Sequence, residues 1–235
     1  MWTFHIPVKI HFGIGSLAAE LVPAVAGRRA AVVISKSVAK LETVKNVLEQ
    51  LNPIAAFDAV QPNPTVANAD AVADVLKESG AEVVVAIGGG SVLDAAKAAA
   101  FLAANNEKSI RPFHSEGKPV SGNSLPLIAV PTTAGTGSEV TPISVLDDEE
   151  KHIKAPISSP LFYPATAIVD PAVTIFVPLK TTAAAALDAL SHCIEGYWSN
   201  NHQPICDTLA KEAAKIILTN FDKVIGNLQN LQSRE

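Results

Sequence analysis

Short β-branched apolar runs alternate with longer alanine-rich stretches from the N-terminus to about residue 175. Ala30–Ser35 reads as a buried strand, and so do Ala55–Val60, Val83–Ile87, Leu127–Val130 and Thr166–Asp170. Such runs are continuously apolar, as strands covered on both faces are. Between them the period lengthens. Val38–Gln50 places Val38, Leu41, Val44, Val47 and Leu48 on one helical face, and Val66–Ser79 and Val92–Ala104 follow the same spacing. Gly13-Ile14-Gly15-Ser16 reads as a turn into a helix from Leu17. Repeated strand and helix predict an α/β unit, a Rossmann-like, mostly parallel sheet with helices on both faces.

The pattern changes near Pro178, and no strand signal follows Thr181. Thr181–Trp198 reads as one helix, with Thr181 or Thr182 as N-cap. Pro204–Asn220 reads as another, with Pro at its start and a stripe of Ile205, Leu209, Ala213, Ile216 and Ile217. Asp222–Gln232 opens a third. The expected organisation is an α/β domain over 1–175 and the start of an all-helical domain over 176–235. A helical part of that size buries a core only marginally.

Composition narrows the partners. The 235 residues are 48% hydrophobic and 17% charged, with net charge −5, so a large core is expected and disorder is not. No basic stretch tracks a phosphate backbone, which argues against nucleic acid. The N-terminus lacks the charged and apolar regions of a signal peptide, and no apolar run is long enough to span a bilayer. Cys193 and Cys206 read as buried thiols and make no disulfide framework. A soluble, cytoplasmic protein is expected.

Val83–Ile87 runs into Gly88-Gly89-Gly90-Ser91 and then a helix. Glycines permit a sharp turn and close approach of a ligand, and a helix N-terminus offers N–H groups to an anion. Ser91 adds a hydroxyl, and Asp94 is placed in the first turn, where a carboxylate suits the dipole. Alone, the run is as consistent with an ordinary tight turn as with a diphosphate site. Gly13-Ile14-Gly15-Ser16 is weaker, lacking the third glycine of the dinucleotide fingerprint. Pro131-Thr132-Thr133-Ala134-Gly135-Thr136-Gly137-Ser138-Glu139 follows a second strand, on the edge where ligands of such sheets bind. Its hydroxyls suit a ribose or an adenine edge, although Ser138 could equally be a helix cap. In the helical part, Asp188 and His192 are four residues apart and share a helix face. They could share a divalent metal, but a hydrogen-bonded pair is the commoner meaning of that spacing, and two ligands are too few for a catalytic site. Glu195 could support His192, and His202 is expected to face solvent in a turn. His5, His11, His114 and His152 show no partner pattern.

Five blocks in order carry a resemblance: Asn63-Pro64-Thr65, Gly88-Gly89-Gly90-Ser91-Val92-Leu93-Asp94-Ala95-Ala96-Lys97, Pro131 to Thr141, Ile168-Val169-Asp170-Pro171, and Leu187-Asp188-Ala189-Leu190-Ser191-His192-Cys193-Ile194-Glu195. From about Pro7 to its last residue the chain resembles the iron-containing (group III) alcohol dehydrogenase family, whose fold is dehydroquinate synthase-like. The resemblance implies hydride transfer between NAD or NADP and a small alcohol or aldehyde, and allows a homodimer. It assigns Gly89, Gly90 and Ser91 to the diphosphate, and Asp94, Thr132, Thr133, Thr136 and Lys154 to the cofactor's surroundings, with Asn63 near it. It makes Asp188 and His192 two ligands of Fe²⁺, or alternatively Zn²⁺, and names no further catalytic residue.

Two departures from the family shape the expectation. Further metal-binding His of the family come from later helices, which would follow residue 235, so the metal site is expected to be incomplete and the chain to have little activity on its own. Ser35 stands where many members carry an Asp that binds the adenosine ribose, and Lys36 adjoins it, so NADP is expected to be tolerated or preferred. The alternatives are a lyase resembling dehydroquinate synthase, a glycerol dehydrogenase-like relative, and a non-catalytic nucleotide-binding fragment.

Overall fold

The computed structural model describes residues 1–235, in eight strands and eight helices joined by short 3-10 turns. In chain order these are β1 (Lys9–Phe12), α1 (Ser16–Val25), β2 (Ala30–Ile34), α2 (Glu42–Leu51), β3 (Ala55–Phe57), α3 (Val66–Ser79), β4 (Val83–Gly88), α4 (Gly90–Asn105), α5 (Arg111–Ser115), β5 (Leu127–Pro131), β6 (Ile143–Asp148), β7 (Ile153–Ser158), β8 (Thr166–Val169), α6 (Leu179–Trp198), α7 (Pro204–Gly226) and α8 (Leu231–Arg234). Six strands form one parallel sheet in the order β1-β8-β5-β4-β2-β3. β6 and β7 form a separate antiparallel hairpin.

Alternation within the buried strands splits the core between two layers. Val84 and Ala86 of β4 face a cluster with Ala69, Val72 and Leu76 of α3 and Leu93, Phe101 and Leu102 of α4. Val83, Val85 and Ile87 face the opposite layer, built on Leu17, Leu21 and Val25 of α1 and Val44 and Val47 of α2. Each side chain of this size contributes roughly 1.5–3 kcal/mol on burial, which is why the sheet needs both layers. α4 is buried along nearly its whole length, from Val92 to Leu102. Its alanines let it lie close to the sheet.

The structure departs from the sequence pattern at several places. The helix expected over Val38–Gln50 is interrupted: Val38–Lys40 is a 3-10 turn, Leu41 is extended, and α2 starts at Glu42. The strand expected to reach Val60 stops at Phe57. α6 is capped from Pro178 rather than from Thr181 or Thr182, and the Thr182 hydroxyl donates to the Val177 carbonyl at 3.2 Å. The helix expected over Asp222–Gln232 does not form; α7 runs on to Gly226 because Phe221, Val224 and Ile225 continue its apolar period, and only the short α8 follows. β1, β6, β7 and α5 lie outside the elements that the sequence pattern predicts. Cys193 is half-buried and Cys206 exposed, so neither is the core thiol expected.

α6 and α7 pack on each other but bury few residues. Leu187, Trp198 and Leu218 are 54%, 73% and 66% exposed, so a broad apolar face is open to solvent. No helix is long and apolar enough to cross a membrane.

Candidate cofactor and metal site

β4 and β5 are neighbours in register, with Gly88 opposite Pro131, so the glycine turn and the threonine–glycine loop leave the sheet side by side. The Thr132 N–H donates to the Gly88 carbonyl at 3.0 Å and ties the two together. α4 starts at Gly90 with Gly89 as N-cap and no side-chain cap. Its first N–H groups therefore remain available to an anion. Asp94 lies in the second turn, not the first, because the helix starts two residues earlier than the apolar period indicates.

The glycines here meet a close-approach requirement rather than a turn requirement. A Cβ on Gly90 would lie 2.9 Å from Thr136 Cγ2 and 3.0 Å from its Oγ1. One on Gly89 would lie 3.2 Å from Thr133 Oγ1. The other glycine turn, at the end of β1, is already filled. The buried carboxylate of Asp170 accepts from Gly15 N at 3.0 Å and Leu17 N at 3.1 Å, taking the place an anion would occupy at the start of α1.

In front of α4 opens a cleft of about 520 Å³. Gly90, Ser91, Asp94, Thr136, Asn63, Lys154, Asp188 and His192 all line it. Asn63 sits in the loop before α3 with φ 57°, and Lys154 on β7 donates to its Oδ1 at 2.8 Å. That loop is clipped to the hairpin by Asp147 N donating to the Pro64 carbonyl at 2.9 Å. Sequence positions nearly a hundred residues apart thus form one polar wall. Thr132 and Thr133 lie on the other side of the loop, over a smaller, more apolar cavity of about 220 Å³ against α6 and α7. Ser35 also lies outside the cleft. It follows β2, donates its N–H to the Ile87 carbonyl at 3.3 Å beside the glycine turn, and has its Oγ 3.5 Å from Ser37 Oγ.

Asp188 and His192 face the cleft from α6, with Oδ1 and Nε2 3.8 Å apart and both side chains about half exposed. One carboxylate oxygen and one imidazole nitrogen at this separation suit Fe²⁺ or Zn²⁺. No group of three His, Cys, Asp or Glu gathers anywhere in the chain. Two protein donors therefore fit a metal as part of a site and not as a whole one. Glu195 accepts from the Ser191 hydroxyl, and His202 is exposed and paired with Asp207 at 2.9 Å. His11 pairs with Glu20, and His114 Nε2 lies 3.0 and 3.1 Å from the Leu146 and Ala155 carbonyls, pinning α5 to the hairpin.

Beneath the cleft, Asp94 and Ser138 join a buried polar cluster around a lysine that the pattern of residues did not single out. Lys97, one helical turn beyond Asp94, has no exposed side-chain surface. Its Nζ donates to Ser138 Oγ at 2.8 Å, the Ile143 carbonyl at 2.7 Å and Thr141 Oγ1 at 3.4 Å. The Ser138 hydroxyl donates to one Asp94 oxygen, and Val145 N donates to the other at 2.9 Å. Ser138 is thus part of this cluster and makes no side-chain helix cap. Burial holds the Lys97 ammonium down to about 8, and burial also pushes the Asp94 and Glu139 carboxyls up. The one available signal was a lone lysine in a run of alanines.

Residues 7–171 match the family model for iron-containing alcohol dehydrogenases, and residues 182–235 match the C-terminal model of the same family. Alcohol dehydrogenase 4 of Saccharomyces cerevisiae is 40% identical over 221 residues, covering 91% of this chain and 57% of that protein. The NAD-dependent methanol dehydrogenase of Bacillus methanolicus is 36% identical, covering 83% of this chain and 50% of its own length. The crystal structure of sulfoacetaldehyde reductase from Bifidobacterium kashiwanohense in complex with NAD⁺ superposes with a TM-score of 0.94 at 39% identity, over 100% of this chain and 63% of that one. The chain thus spans between half and two thirds of the length of these relatives. Its paired glycine and threonine loops and its Asp–His pair stand within matched segments throughout, and the chain belongs to the iron-containing alcohol dehydrogenase family.

Proposed function

We propose that the chain is the dinucleotide-binding part, with the first metal-binding helices, of an NAD(P)-dependent alcohol dehydrogenase that interconverts a small alcohol and its aldehyde or ketone. The division falls at about residue 175, with the α/β unit before it and the helical unit over 176–235. The convergence of the α4 N-terminus, Thr136, Lys154 and the Asp188–His192 pair on one cleft supports this most strongly. Gly89, Gly90 and Ser91 bind the diphosphate through backbone N–H groups and a hydroxyl. Thr136, Asn63 and Lys154 orient the rest of the cofactor, Thr132 and Thr133 support the loop from its other side, and Asp94 shapes the cleft floor. A bound divalent ion supplies Lewis acidity at the substrate oxygen, while the nicotinamide carries the hydride. Asp188 and His192, which both line the cleft, would hold that ion. With two donors the affinity is low, and turnover by these 235 residues alone is expected to be slight.

In doubly wound folds an acidic residue beyond a strand next to the glycine turn binds the ribose 2′-hydroxyl and repels a 2′-phosphate. Here that place holds Ser35, followed by Lys36 and Ser37. NADPH is therefore accepted at least as well as NADH. Fluorescence titration of the chain with both nucleotides tests the assignment. Saturable binding supports it, tighter NADH binding removes the Ser35 argument, and no binding of either removes the site.

The chain also pairs with a second copy in this reading. Trp2, Phe4, Ile6, Ile10, Phe12 and Ile14 alternate with other residues and are exposed, and β1 is an open edge of the sheet. A two-fold axis at such an edge closes the assembly as a homodimer. A monomer mass by sedimentation at micromolar concentration argues against it. Two free cysteines suit a cytoplasmic enzyme.

A further inference from the structure

The threonine–glycine loop is anchored at both ends to the elements that flank the glycine turn. At its start, Thr132 N bonds the Gly88 carbonyl at 3.0 Å. At its end, Ser138 is held by Lys97 and Asp94, both on α4. Between the anchors, the Thr136 side chain lies against Gly90, within 3 Å of where a Cβ would be. The spacing between loop and helix, which sets the room for a ligand over the α4 N-terminus, therefore depends on the Ser138 anchor.

An ammonium is a costly way to fill a core. Replacing a whole buried ion pair with apolar side chains of similar volume is often neutral or stabilising, whereas removing one partner alone is strongly destabilising. Stability alone therefore does not account for the Lys97–Asp94 pair as a whole. The three directional bonds of Lys97 do something an apolar side chain cannot, because they reach the end of the loop at Ser138 and the entry to β6 at Thr141 and Ile143. We propose that Lys97 is a positioning residue that sets dinucleotide affinity by holding the threonine–glycine loop against the N-terminus of α4, without touching the dinucleotide itself. The proposal rests on the dinucleotide assignment made above.

The charge on Lys97 provides a readout that mere packing lacks. The charged groups facing it are Asp94 on α4 and Glu139 in the 3-10 turn, while β6 and the segment before it offer the neutral Thr141 hydroxyl and Ile143 carbonyl. As pH climbs through about 8 the ammonium is lost, three donors become two, and the loop anchor weakens.

The test is the affinity of the 235-residue chain for NADH and NADPH, measured by fluorescence from about pH 6.5 to about pH 9.5, for wild type, K97M, S138A and the double variant, with melting curves for each. In the wild type, Kd is expected to rise about tenfold across this range. K97M, which leaves Asp94 buried without its cation, is expected to melt below the wild-type temperature yet to fold, to bind about tenfold more weakly at neutral pH and to show a flat profile. S138A is expected to bind as weakly as K97M, and the double variant no more weakly than either, because both cut one link. A folded K97M with wild-type affinity overturns the brace and leaves the dinucleotide site standing. If K97M does not fold, a flat wild-type profile together with unaltered binding by S138A overturns it. If the wild type binds neither nucleotide, the dinucleotide assignment falls and takes this proposal with it.

Discussion

Gly90→Ala separates the demands of folding from those of binding at one position. Gly90 is not in the left-handed region, so a Cβ adds no backbone strain there. Alanine favours a helix over glycine by up to about 1 kcal/mol, and less at an end. Against this, the new methyl would stand 2.9 Å from Thr136 Cγ2 and 3.0 Å from Oγ1. Overpacking of this degree costs about 1–3 kcal/mol. The two effects leave a net destabilisation between about 0 and 3 kcal/mol, within the usual stability of a domain, so the variant is expected to fold. Binding has no such compensation. The methyl displaces Thr136 and stands over the N–H groups that receive the diphosphate. Loss of two charge-assisted hydrogen bonds at about 1.5–3 kcal/mol each lowers affinity by roughly 10² to 10⁴. Fluorescence titration with NADH and NADPH, paired with urea unfolding, measures both. Gly89→Ala, with a single contact at 3.2 Å, should lose less. Gly196→Ala in α6 meets nothing within 4 Å and should leave binding unchanged while adding up to about 1 kcal/mol of stability. A folded Gly90→Ala protein that binds within about threefold of wild type would refute the diphosphate assignment.

Three further outcomes are expected. Asp170→Ala removes the acceptor for Gly15, Leu17 and Ala172 N–H groups and should cost about 2–4 kcal/mol in urea unfolding; a loss below about 0.5 kcal/mol would show that α1 does not need this cap. Lys97 carries a lowered folded value, about 8 against 10.5, so between these the unfolded chain binds the proton that the folded chain has released. Its penalty on stability is present below about 8 and is relieved as pH rises, and the wild type should gain on K97M over that window, with a constant difference counting against it. His192→Ala leaves Asp188 as a single donor and should weaken Zn²⁺ binding by about tenfold or more in dye competition; unchanged uptake would place the metal elsewhere.

The strands buried on both faces were legible because continuous apolar runs leave few other meanings. The glycine and threonine–glycine loops were legible as loops, and their adjacency follows from β4 pairing with β5. β1 was missed although Trp2, Phe4, Ile6, Val8, Ile10, Phe12 and Ile14 alternate without a break. Pro7 occupies one of the intervening positions and weakens the strand signal, and an alternating run is less distinctive than a continuous apolar one. β7 was missed for a similar reason, since Pro156 weakens the signal, yet in a two-stranded ribbon its missing N–H is tolerated at an open edge. Leu41 fits the apolar stripe of α2 but is extended, which periodicity cannot detect. In the site, helical spacing put Asp188 and His192 on one face, and only the family resemblance gave them a metal role. Their approach to Asn63 and Lys154 depends on how the hairpin and α6 pack, and no local pattern encodes that. The Lys97 cluster joins residues more than forty positions apart and was equally hidden.

A dinucleotide is expected to bind over the α4 N-terminus and not at the other glycine turn. Following backbone amide resonances of the chain during titration with NADH and NADPH tests it. The expected result is saturable shifts at Gly89, Gly90, Ser91, Thr133 and Thr136, with Gly13, Gly15 and Ser16 unmoved because the Asp170 carboxylate already fills that turn. Saturation with the larger shifts at Gly13–Ser16, or none at Gly89–Ser91, would contradict it.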